Sequence, residues 1–242
     1  MSVPVVLWVA GSVFVAALVQ QLSGFGFALL AVPLLSVAIG PKEAVAVTTG
    51  AGLASSGVMA WTLRAGIERP ELRRMLVGAA IGLPIGVVIL RQAADDPLRL
   101  ALGVLLLVTV ALLWRGATLG SHRPSVQVGA GVVSGVLNGS LGTGGPPVVV
   151  LLQAADTEQH RFRATTSAFF AVCDVVLIPM IVVSGAVGPA AWAYSVTSLP
   201  AVALAAGIGA PLALRVDPGA FRRIVLALLT ATALVSITLA LR

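Results

Sequence analysis

Long apolar runs dominate the chain, and polar residues punctuate them. Apolar segments fall at about residues 3–21, 28–40, 43–63, 75–90, 98–114, 127–140, 146–155, 164–184, 190–213 and 223–241. Several approach the roughly 20 residues an α-helix needs to cross the hydrocarbon core of a bilayer. Backbone N–H and C=O groups in lipid must be satisfied within the segment, so these runs predict helices and not open strands. Trp61, Trp114 and Trp192 stand near segment ends, where interfacial aromatic residues are expected.

Composition points the same way. Of 242 residues, 58% are apolar and 10% charged, against about 25% charged in a soluble domain. So few charges could not cover a water-soluble surface, and an all-α integral membrane protein is expected. The net charge of +6 is not read as a nucleic-acid footprint, because the basic residues lie singly or in pairs between apolar runs. The single cysteine, Cys173, excludes an intramolecular disulfide and a cysteine-rich metal site. Met1 to Leu18 carries no basic n-region and reads as a retained first helix.

Basic residues also decide the topology. Suppose 3–40 and 127–155 each enter and leave the membrane on one side as hairpins. Then Arg64, Arg69, Arg73, Arg74, Arg115, Arg123, Arg161, Arg163, Arg215, Arg222 and Arg223 share a side. Lys42, Arg91, Arg99 and Arg242 lie opposite, a split of eleven to four among fifteen. With both as single spans the split is seven to eight. The positive-inside rule therefore favours hairpins, with the eleven cytoplasmic. Residues 127–155 are too few for two complete spans, so that hairpin is expected to be re-entrant. Its irregular tip then lies at membrane depth, which is tolerated only against protein or a watery cavity.

The chain repeats at an offset of about 118 residues. Gly24-Phe25-Gly26 falls on Gly142-Thr143-Gly144, Gln20 on Asn138 and Thr48 on Thr166, while Asp96-Pro97 matches Asp217-Pro218 with a small gap. Under the hairpin topology the repeats, 1–116 and 124–242, are inverted. Each is a re-entrant or broken helical hairpin plus three transmembrane helices, together one transport domain. Inverted repeats around broken helices are a transporter architecture.

Three stretches carry a resemblance: SGFGFALLAVPLL, NGSLGTGGPPVVVLL and HRFRATTSAFF. They resemble the paired glycine-rich signatures of the TauE/SafE family of membrane permeases and the stretch that follows the second. The resemblance implies a multi-pass bacterial inner-membrane transporter associated with export of sulfite, sulfoacetate or related organosulfur anions. The chain departs from the usual glycine run at Phe27 and Ala28 and at Pro146 and Pro147, which bears on the pocket and its substrate.

Candidate chemistry gathers at the two tips. Each leads into the start of a short helix, whose free N–H groups and dipole favour an anion. Gly24, Gly26, Gly142, Gly144 and Gly145 are expected to shape the site; close helix packing is the competing role of such glycines. Gln20, Asn138 and Thr143 offer neutral hydrogen bonds, as do Gln21, Ser23 and Ser140, although amides and hydroxyls also join helices. Thr48, Thr49, Thr165, Thr166 and Ser167 either line the cavity or bond their own helix. Asp174 is the one acid deep in an apolar segment, and a carboxyl there is neutral or paired. It is the candidate for proton coupling; bonding a neighbouring helix is its other role. Arg161 and Arg163 read first as topology signals, and His122 and His160 as loop residues without metal spacing.

The expected function is secondary transport of a small anion, with no cofactor and no metal. The expected partners are that anion and the lipid bilayer, with self-association open. No nucleotide-binding loop appears. A passive anion channel is the alternative. A membrane enzyme would need a catalytic pair at depth, and none is seen.

Overall fold

The protein, described here from a computed structural model, is defined over residues 2–115, 123–153, 158–212 and 218–241. Among these residues there are helices and no strands. The first half contains α1 (Val3–Ser23), α2 (Phe27–Ile39), α3 (Pro41–Thr62), α4 (Arg69–Gln92) and α5 (Asp95–Arg115), with a short 3-10 turn at Arg64–Gly66. The second contains α6 (Pro124–Leu141), α7 (Gly145–Gln153), α8 (Gln159–Ser184), α9 (Pro189–Thr197), α10 (Leu199–Leu212) and α11 (Pro218–Ala240). Over the described residues each predicted segment is helical, while residues 154–155 and 213 of two of them lie outside the described residues. The run 190–213 is broken at Ser198, whose hydroxyl bonds the Ser195 carbonyl at 2.7 Å.

Among the described residues six spans are long and apolar enough to cross a membrane: Val3–Ser23, Pro41–Thr62, Arg69–Gln92, Gln159–Ser184, Pro189–Gly209 and Arg223–Ala240. Proline opens several helices, including α3 and α6, where its missing N–H would have no partner anyway. By contrast α6 and α7, with 18 and 9 residues, extend only about 27 and 14 Å. Neither crosses with the other as a pair of full spans. The exposed faces of α4 and α8 are greasy, with Val77, Ile81 and Val88 on one and Val175 and Val182 on the other. That is the pattern of a lipid-facing surface.

α3 and α8 pack together at the centre, and α5 lies along α11. The hairpins pack across the two halves: α6 runs along α4, and α1 along α10. The α4–α6 seam is built on glycine. Gly78, Gly82 and Gly86 face Gly131, Gly135 and Gly139. A Cβ at Gly82 would lie 3.0 Å from Gly135 Cα, and one at Gly86 2.7 Å from Gly139 Cα. The two backbones touch, the arrangement that small residues four apart allow in membrane helices.

Polar contacts gather the helix ends. Arg161 pairs with Glu68, the Glu68 N–H donates to Thr165 Oγ1 at 3.0 Å, and Arg74 Nη1 donates to Gln127 Oε1 at 3.0 Å. Residues 64–74, 123–127 and 158–165 thus share one end of the bundle. His160 lies in the first turn of α8, not in a loop, and packs toward Gly66. His122 and Asp217 lie outside the described residues.

Candidate functional site

Both glycine tips are helix breaks. Gly24 (φ 85°) and Gly26 (φ 94°) adopt left-handed backbone between α1 and α2, and Gly142 (φ 66°) does so after α6. A side chain at these angles is strained, which explains glycine there. The Gly24 N–H closes α1 on the Gln20 carbonyl at 2.7 Å, and the Gly142 N–H closes α6 on the Asn138 carbonyl at 2.9 Å. The two amides in question are therefore fixed in the last turn before each break.

The two tips meet at one cavity. Gly26, Phe27, Ala28 and Leu29 line it from the start of α2, and Gly142 and Gly145 from the second tip. Gln20 and Asn138 close it from α1 and α6, while Thr48, Thr49, Gly52 and Ser56 of α3 face Phe170 and Asp174 of α8. The space open to the centre of a water-sized sphere is about 30 Å³, enough for two or three waters or one small ion. The first turn of α2 supplies N–H groups without helical partners. Pro146 and Pro147 remove two such donors from α7, so the first tip is the richer in donors.

Hydrogen bonds repeat between the halves. Gln20 Nε2 donates to Ser56 Oγ at 2.9 Å, and Asn138 Nδ2 donates to Asp174 Oδ1 at 3.4 Å. Ser56 and Asp174 are themselves 118 residues apart, as Gln20 and Asn138 are. Each amide thus reaches the equivalent position on the equivalent helix. Ser55 Oγ donates to Gln20 Oε1 at 2.6 Å, which fixes that amide's orientation. Asp174 is 6% exposed and is the sole ionisable side chain among the described residues lining the cavity.

Not every expected residue reaches the cavity. Gly24 lies beneath the Arg163 side chain, whose Nη2 donates to the Gln21 carbonyl at 2.6 Å. Arg163 therefore sits at the negative end of the α1 dipole and holds the first tip, beyond any role in topology. Gly144 packs against Ser134 and Asn138, and its carbonyl accepts from Ser134 Oγ at 2.6 Å. Thr143 is fully buried away from the cavity lining. Of the hydroxyl set, Thr49 and Thr166 bond their own helices at 2.8 and 2.7 Å. Thr48, 3% exposed, lines the cavity with its hydroxyl unpaired. Among the described residues no cluster of His, Cys, Asp or Glu could hold a metal.

Ser55, Ser56, Gly52 and Phe170 were not anticipated from the sequence. Thr48, Gly52 and Ser56 follow each other at four-residue steps in an apolar helix. That is a polar stripe on one face, a signal open to sequence reading.

Comparison with known proteins gives one match. The model of the sulfite exporter TauE/SafE family matches residues 9–236, nearly the whole chain. No curated protein and no solved structure matches.

Proposed function

The chain belongs to the sulfite exporter TauE/SafE family of membrane transporters, and from that membership and the cavity we propose that it moves a small anion such as sulfite or an organosulfonate by alternating access. The observation that carries this reading is one small cavity placed at the starts of two broken helices and lined by hydroxyls and amides. The free N–H groups at the start of α2 suit a developing or full negative charge. Ser56 and Thr48 add O–H donors. The lining has no Lys, Arg or His among the described residues, so the anion is held by dipoles and can leave again. Sulfite and small sulfonates are the substrate class, and export from a bacterial cytoplasm is the direction that the family name suggests.

The two halves, 1–116 and 124–242, are proposed as inverted repeats. The matched amide bonds and the cross-half packing of α1 on α10 and of α6 on α4 support it. So does the gathering of basic residues at one end. Gln20, Asn138, Gly26, Gly142 and Gly145 are proposed to contact the anion; Gly24, Gly144 and Thr143 shape the tips behind it. Asp174 is proposed to carry a proton during the cycle.

Purified protein in proteoliposomes tests this. With excess unlabelled sulfite or sulfoacetate trapped inside, labelled anion added outside should exchange inward and accumulate transiently above its equilibrium level. A channel equilibrates its solute without such an overshoot. Absence of exchange for every small oxyanion, with protein correctly inserted, refutes the reading.

A further inference from the structure

The two halves match in geometry around the cavity but differ in charge. Where one presents Ser56 to Gln20, the other presents Asp174 to Asn138. The groups facing Asp174 are Gln20 from α1, Phe27 from α2, Thr48, Gly52 and Ser56 from α3, and Asn138 from α6. None of them ionises, and the neighbouring Cys173 does not line the cavity. The cavity has room for two or three waters, so an anion inside it lies within a few ångströms of the carboxyl. No cation in the lining offsets the repulsion between an anion and an ionised Asp174. At such separations two like charges weaken binding by roughly a hundredfold or more. Anion binding therefore favours the protonated carboxyl, and protonation favours the anion by the same factor.

Resting on the transport reading above, we infer that anion and proton occupy this cavity together and cross in the same direction. Competition between them, which antiport requires, is the opposite linkage. A monoanion then crosses with one proton in an electroneutral step. Export under this linkage runs on the internal anion concentration and not on the membrane potential.

Methanesulfonate is the probe, because its charge is fixed and a pH gradient then acts on the protein alone. Exchange at equal pH, inside and out, tests transport itself. A gradient of one unit, acid outside and with potential clamped, tests the coupling. The expected result is inward accumulation approaching about tenfold. Outward movement, or normal exchange that ignores the gradient, overturns the inference while leaving transport intact. Absence of exchange at equal pH for methanesulfonate, sulfite and sulfoacetate alike in the unaltered protein overturns both. Asp174→Ser copies the equivalent position of the first half, and whatever exchange it retains at equal pH is expected not to respond to the gradient. Asp174→Glu should keep the response. Full coupling in Asp174→Ser also overturns the inference.

Discussion

Replacing Gly52 with alanine adds one methyl group to the cavity wall that faces Asp174. The new Cβ would lie 3.2 Å from Asp174 Oδ2 and 3.4 Å from two carbons of the Phe27 ring. The ring contacts are ordinary, but the carboxyl must give way by a few tenths of an ångström. Within a helix, alanine is better than glycine by about 0.5–1 kcal/mol. Crowding a packed site costs about 1–3 kcal/mol. The gain offsets part of the cost and leaves a net loss of about 0–2.5 kcal/mol, so the fold should melt no more than about 10 °C below the parent. The cavity has no such compensation, since about 30 Å³ of open space cannot lose a methyl and still seat the same anion. Sulfite counterflow should show half-saturation raised by about tenfold to a hundredfold, the equivalent of that crowding. Gly57→Ala, also in α3 and with no atom within 4 Å, is the control. It should gain stability and transport normally. If Gly52→Ala keeps the parent's half-saturation and rate, the anion does not bind in this cavity.

Three other experiments test the frame around the site. A double-mutant cycle of Gln20→Leu with Ser55→Ala should give a coupling of about 1 kcal/mol in detergent melting, one net buried hydrogen bond; a zero coupling would mean that the bond is not formed in solution. Arg163→Met keeps the stem over Gly24 but removes the donor to the Gln21 carbonyl, and should lower stability by about 1–2 kcal/mol. Thermal melts at matched detergent would expose an error here, as would Arg163→Lys failing to recover part of the loss. Gly82→Leu pushes a side chain into the α6 backbone and should cost about 3 kcal/mol or more; a monodisperse, parent-like elution profile and melt would contradict the seam.

Much of this was legible in the chain. Apolar runs gave the helices because lipid admits little else, and the doubled glycine tips marked the breaks because left-handed backbone needs glycine. The break at Ser198 was missed, although Ser195, Thr197 and Ser198 interrupt the apolar run and Pro200 follows in the first turn of α10, where proline marks a helix start. The site was read in part. Gln20, Asn138 and Asp174 stood out as polar groups in apolar segments, but which tip residues face the cavity depends on rotation about each break. Gly24 and Gly144 therefore looked equivalent to Gly26 and Gly145 and are not. Arg163 shows a different limit: its partner is a backbone carbonyl 142 positions earlier, which no local pattern announces. The four-residue glycine spacing of α4 and α6 was present in the sequence and brings the two backbones into contact.

That seam has a mechanical consequence. A surface that slides during a cycle needs side chains that can exchange neighbours, whereas two backbones interlocked through glycine lose their close van der Waals packing as soon as they slide or part. α6 must then travel with α4, so the second tip is carried by a helix of the first half. Under the proposed alternating access, the pieces that move against each other are then not the two proposed repeats. Each would be stitched from both lengths of chain, so that severing the chain between α5 and α6 would separate the sequence without separating the machinery.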